Sequence, residues 1–183
     1  QKQHVELARD IAQRFNNLFG ETFKLPEPII PTIGARVMNL SNPSSKMSKS
    51  FDEDDGGVVG LLDDDSKIVK SIKRAVTDSG NDIVFSNDPE KAGVNNLLGI
   101  YKVITGKSSD DVEKDFEGAR GYGILKEKVA EVVLETIKPI RQKYNEYISD
   151  QYELDRLLDI GAENARLISE PKVLEMKNKM GFI

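Results

Sequence analysis

The sequence predicts a mainly α-helical protein, with one short strand and a polar loop ahead of a bundle of helices. Three observations support this. Apolar residues recur at three- and four-residue steps at the front of the chain, and again through most of it beyond residue 62. Between these regions a short apolar run, IGARVMNL at 33–40, is bounded by breakers. With 183 residues, 38% hydrophobic and 31% charged, the chain is long enough for one ample domain, or for one domain and part of another.

Val5, Ala8, Ile11, Ala12, Phe15, Leu18 and Phe19 make Lys2–Phe19 an amphipathic helix, with Gly20 to end it. Pro26, Pro28 and Pro31 space out a connector. Residues 33–40 then read as a buried strand, and the loop LSNPSSKMSKSFDEDD follows at 40–55. Ser66 is placed to cap a helix carrying Ile68, Val69, Ile72, Ala75 and Val76 on one face. Val94, Leu97, Leu98, Tyr101 and Ile104 form a second stripe. Ser108 or Ser109 opens a short acidic helix around Val112 and Phe116. A long helix starts near Ile124, and Pro139 predicts a kink or break in it. Asp150 opens a further helix around Leu154, Leu157 and Leu158. The last covers about 162–180, kinked at Pro171 and stopped by Gly181.

Composition excludes several chemistries. With no cysteine there are no disulfides or thiolate metal sites, and a single histidine, His4, leaves no histidine cluster. No run reaches the roughly 20 apolar residues of a membrane span, so a cytoplasmic protein is expected. The net charge of −5 is unevenly spread. Residues 1–50 hold 7 basic and 4 acidic side chains (+3), residues 51–137 hold 11 and 19 (−8), and residues 138–183 hold 8 of each. A DNA-wrapping protein carries a large positive excess, so contact with nucleic acid is expected only through local patches. The chain starts at Gln1 without methionine, and it is expected to be part of a longer translation product.

The loop concentrates Lys46, Met47, Ser48, Lys49 and Ser50 behind Pro43. On composition alone this is an ordinary solvated segment. Chemically it can do more. Each lysine offers a compact ammonium for a polyphosphate, the hydroxyls and loop amides add hydrogen bonds, and Met47 offers an adaptable apolar face beside a base. Such a loop stabilises charge on a departing pyrophosphate if it closes as reaction begins. Residues 41–45 offer little apolar anchorage, and mobility is expected there.

The order KMSKS is the second signature of class I aminoacyl-tRNA synthetases, present here without substitution. QKQHVELARDIAQRFN, ARVMNL, GLLDDD, IKRAVTDS, KAGVNNLL and EGARGYGILKEKVAEVV occur in the same order as in the bacterial-type tryptophanyl-tRNA synthetases, which the whole chain resembles. The resemblance implies the C-terminal end of a Rossmann-type α/β catalytic domain at 1–60, bearing the loop. It also implies a helical anticodon-binding domain at 61–183. Members activate tryptophan with ATP, release pyrophosphate and transfer the amino acid to tRNA(Trp). At matching positions Lys46 and Lys49 are the catalytic cations, and Ser48 and Ser50 assist them on ATP. Val37 meets adenine through its backbone, Met47 closes over the nucleotide, and Gln1 touches the polar end of tryptophan. Mg²⁺ arrives on the ATP phosphates, with no metal held by the protein. Asp52, Glu53, Asp54 and Asp55 read as a solvated flank balancing the lysines.

The resemblance also implies a homodimeric parent. The family's histidine-containing first signature is absent, so the chain alone is expected to be inactive. Phe51 stands where the family continues with an aspartate. Arg141, Lys143, Arg156, Arg166 and Lys172 are candidates for RNA phosphates, and Tyr101, Tyr144, Tyr147 and Tyr152 for base stacking. Each has an ordinary structural reading: an exposed helix charge for the former, a partly buried core position for the tyrosines. Three alternatives stay open: a stand-alone helical RNA-binding module without catalysis, a tyrosyl-tRNA synthetase relative, and an interaction domain that does not use nucleotide.

Overall fold

The structure is a computed structural model that describes residues 2–30, 34, 36–48 and 56–183. It is mainly helical. The helices are α1 (Lys2–Phe19), α2 (Asp65–Lys73), α3 (Ala92–Thr105), α4 (Ser109–Asp115), α5 (Tyr122–Ser149) and α6 (Gln151–Met180). A 3-10 turn, Pro89–Lys91, leads into α3, its first amide held by the Asp88 carboxylate. None of the described helices is long and apolar enough to cross a membrane.

The chain forms two compact units, Pro31–Asn145 in one and Gln1–Ile30 with Glu146–Ile183 in the other. In the first, Ile68, Val94, Leu97, Leu98, Val112, Leu125 and Val129 are fully buried. They come from α2, α3, α4 and α5 at helical spacing, so four apolar stripes share one core. Arg141 ties α5 to the start of α2 by bonding the Asp63 carbonyl and the Asp65 carboxylate, and Lys138 stands 3.5 Å from the same carboxylate. Tyr101 is part of the core, edge-on to Phe116, and its hydroxyl donates to Asp115.

In the second unit, polar bonds hold the turn after α1. Asn16 accepts from the amides of Thr22 and Phe23 and donates to the Phe23 carbonyl. From α6, Lys172 reaches the Thr22 carbonyl at 2.8 Å, and Lys179 bonds the Glu21 carbonyl and the Thr22 hydroxyl. Phe15 packs on Phe19 and Phe23.

Several expectations need correction. The strand at 33–40 is not formed among the described residues; only an isolated antiparallel bridge joins Met38 to Lys46. A strand needs a neighbour along its edge, and here the chain offers a returning loop on one side and a helix side chain on the other. The N-cap of α2 is Asp64, and Ser66 already lies inside the helix, where Asp65 supplies the favourable negative charge of the first turn. Ala75 and Val76 lie beyond α2. The two helices expected after Asp150 are one, because Gly161 keeps an ordinary helical φ and no turn intervenes. Helix α5 runs through Pro139, and α6 through Pro171. Both prolines sit on exposed turns, where the carbonyl deprived of its partner can be met by water. Tyr144, Tyr147 and Tyr152 are exposed rather than partly buried.

Candidate functional site: the lysine loop

The loop rests on a short antiparallel clasp. The Asn39 amide donates to the Ser45 carbonyl and the Met47 amide donates to the Val37 carbonyl, each at 2.9 Å. These two bonds bracket the pair Met38–Lys46. At the far end Leu40 N–H donates to the Gly57 carbonyl at 2.9 Å, while the Leu40 carbonyl accepts from Val76 N–H at 2.8 Å. Both ends of the loop are thereby fastened to the buried Leu40.

Polar bonds also anchor the turn at 41–45. Asn39 Oδ1 accepts from the amides of Ser41 and Asn42 and from the Ser41 hydroxyl. Asn42 accepts from the amide and hydroxyl of Ser44 through its side chain, and from Ser45 through its carbonyl. Two glycines make close approach possible. A Cβ on Gly57 would stand 2.0 Å from Asn39 Oδ1, and one on Gly93 would stand 2.0 Å from the Val76 carbonyl oxygen. Only a residue without a side chain fits at either position.

The clasp brings three of the predicted site residues together, Val37, Lys46 and Met47, and Ser48 follows directly in the chain. Met47 is half-buried against the core, and with Val37, Met38 and Pro43 it lines a cavity of about 440 Å³. The Lys46 side chain is exposed and has no carboxylate within ion-pair distance among the described residues. Gln1, Lys49 and Ser50 lie outside the described residues, as do Phe51, Asp52, Glu53, Asp54 and Asp55.

Sequence reasoning missed the residues that hold the clasp: Asn39, Gly57, Gly93 and Asn96. The available signal was the polar pair Asn95–Asn96 interrupting an apolar stripe. It also missed a part-buried polar cluster. Tyr122 donates to Asp78 at 2.6 Å and accepts from Lys91 at 2.8 Å, and Lys91 Nζ stands 3.4 Å from the second Asp78 oxygen. Burial and the hydrogen bond to Asp78 push the Tyr122 hydroxyl above its ordinary range. The same hydrogen bond holds the Asp78 carboxyl below the usual carboxylate range, and Lys91, bonded to Tyr122, is held above its own. This cluster joins the segment after α2 to the starts of α3 and α5.

Comparisons with known proteins agree with this geometry. The family described as tRNA synthetases class I (W and Y) matches residues 1–138. The chain belongs to that family. It is 47% identical, over its whole length, to a tryptophan–tRNA ligase of Wolinella succinogenes, of which it covers 55%. It is 49% identical to one from Caldanaerobacter subterraneus, of which it covers 54%. The chain therefore spans about half the length of the curated relatives it matches. Among solved structures, the tryptophanyl-tRNA synthetase of Mycoplasma pneumoniae superposes with a TM-score of 0.87 at 29% identity, covering 99% of this chain and 55% of that one. The Campylobacter jejuni enzyme, complexed with ADP and tryptophan, gives 0.67 at 33% identity, covering 99% and 54%. A class I synthetase of the W and Y type thus accounts for the loop and for the helices that carry it.

Proposed function

We propose that this chain is the C-terminal part of a tryptophan–tRNA ligase and supplies the phosphate-gripping loop of its active site. The observation that carries the reading is the intact KMSKS order at residues 46–50, with Lys46 presented on a clasp directly beside Val37. In the first half-reaction the tryptophan carboxylate attacks the α-phosphorus of ATP. A carboxyl–phosphate anhydride forms and the bond to pyrophosphate breaks. Lys46 and Lys49 stabilise the negative charge that gathers on the departing phosphates, with Ser48 and Ser50 adding hydrogen bonds. The Val37 backbone meets adenine, Met47 covers the nucleotide, and Gln1 meets the polar end of tryptophan. Mg²⁺ enters with ATP, held mainly by phosphates and water. In the second half-reaction a hydroxyl at the tRNA 3′ end takes the amino acid and AMP leaves.

Residues 1–60 close the catalytic domain in this reading, and residues 61–183 form the helical domain that meets the anticodon. Tyr152, 81% exposed, is well placed to stack on a base. Arg141 is committed to Asp63 and Asp65, which favours a structural role for it over RNA contact. The complete enzyme works as a homodimer in the cytoplasm. Lys46→Ala or Lys49→Ala in the complete enzyme should slow tryptophan-dependent ATP–pyrophosphate exchange about 100- to 1,000-fold, leaving the KM for tryptophan unchanged. An unchanged rate in both variants would overturn the reading.

A further inference from the structure

We propose that Asn96 is a positioning residue for the lysine loop. Its carboxamide takes the place of a missing neighbour strand, fixing Met38 and, through the Met38–Lys46 bridge, the Lys46 backbone. The proposal rests on the reading of Lys46 as an ATP-gripping group.

Val37 and Asn39 spend a carbonyl and an amide on Met47 and Ser45, the residues flanking Lys46. Met38 lies between them, opposite Lys46, and an antiparallel ladder turns the backbone groups of such a residue away from its partner. In a sheet those groups would bond the next strand. Here the Met38 amide donates to Asn96 Oδ1 at 2.9 Å, and Asn96 Nδ2 donates to the Met38 carbonyl at 2.8 Å. A primary amide is the side-chain group that offers one acceptor and one donor side by side, the same pair that a strand residue presents. Asn96 is nearly buried on α3, between Asn95 and the fully buried Leu97 and Leu98, so its position is set by the core. Rigid core packing is thereby carried to the one described lysine of the motif through two hydrogen bonds and one bridge.

The neighbouring asparagine provides an internal control. Asn95 brackets Ser86 in the same manner, accepting from its amide at 3.0 Å and donating to its carbonyl at 2.6 Å. Losing either carboxamide removes two part-buried hydrogen bonds from α3, but only Asn96 reaches the clasp.

The test is residue-resolved amide hydrogen exchange on this chain. Asn96→Leu should speed exchange at Asn39 and Met47 about tenfold or more, with Ile72 and Val129 in the core unchanged. Asn95→Leu should leave Asn39 and Met47 at their original rates. If the leucine variant does not fold, Asn96→Asp replaces the donor with an acceptor oxygen that faces the Met38 carbonyl, and it is expected to give the same local pattern. Unaltered rates at Asn39 and Met47, free exchange of both in the unsubstituted chain, or equal acceleration by both leucine variants would overturn the proposal. In the complete enzyme Asn96→Leu should raise the KM for ATP about tenfold without moving the KM for tryptophan. A changed exchange pattern with an unmoved ATP KM would place the error in the ATP reading of Lys46 rather than in the positioning of the loop.

Discussion

Tyr122 illustrates how much one hydroxyl can organise. It takes a bond from Lys91 and gives one to Asp78, so Tyr122→Phe breaks two contacts of a part-buried network at once. Urea unfolding should show a loss of about 1–3 kcal/mol. The same network makes stability depend on pH. Asp78 is held below its ordinary value in the folded chain, so between the folded and unfolded values the unfolded chain binds the extra proton. Its contribution is present above the unfolded carboxylate value of about 4 and is lost as pH falls through the lower folded one. Asp78→Asn should therefore flatten the acid limb of a stability–pH profile. An unchanged limb would show that Asp78 does not carry it. None of these partners lies near another in sequence, and so the network was not legible there. Lys46, Lys49 and Met47 could be singled out in the sequence because their order is a signature. Asn96 was not, because an asparagine within a helical stripe gives no sign of which backbone it will bracket.

At the scale of elements, periodicity fixed what local chemistry decides. The bounds of α1 follow from its apolar spacing and Gly20, and the ends of α4 and α6 from Ser108 and Gly181. The Ser108 hydroxyl accepts from the Asp111 amide, as an N-cap should. The strand expected at 33–40 is not formed among the described residues for the opposite reason: pairing depends on distant chain, and Asn96, 58 residues from Met38, supplies the bonds instead. The expected break near residue 160 failed because one glycine without a left-handed φ does not end a helix. Proline within a helix costs up to about 3 kcal/mol, so Pro171→Ala, on an exposed turn of α6, should raise the thermal midpoint. A lowered midpoint in circular dichroism melting would mean that the proline serves a packing role.

Across the molecule, the buried apolar side chains among the described residues all lie between Leu40 and Ile137, within one compact unit. The stability of that unit rests there. Leu98→Ala, at 0% exposure, should cost about 2–5 kcal/mol, whereas Leu167→Ala, at 70% exposure, should stay within about 0.5 kcal/mol. Chemical denaturation of the two variants checks the contrast. In the function proposed for it, this chain carries half of a phosphate-binding constellation, with the lysine loop as its contribution. The most direct measurement is tryptophan-dependent ATP–pyrophosphate exchange by the purified chain, alone and mixed with a separately expressed N-terminal half of a relative. Exchange only in the mixture is the expected result. Exchange by the chain alone would contradict the account, because every group that activates tryptophan would then have to lie within these 183 residues.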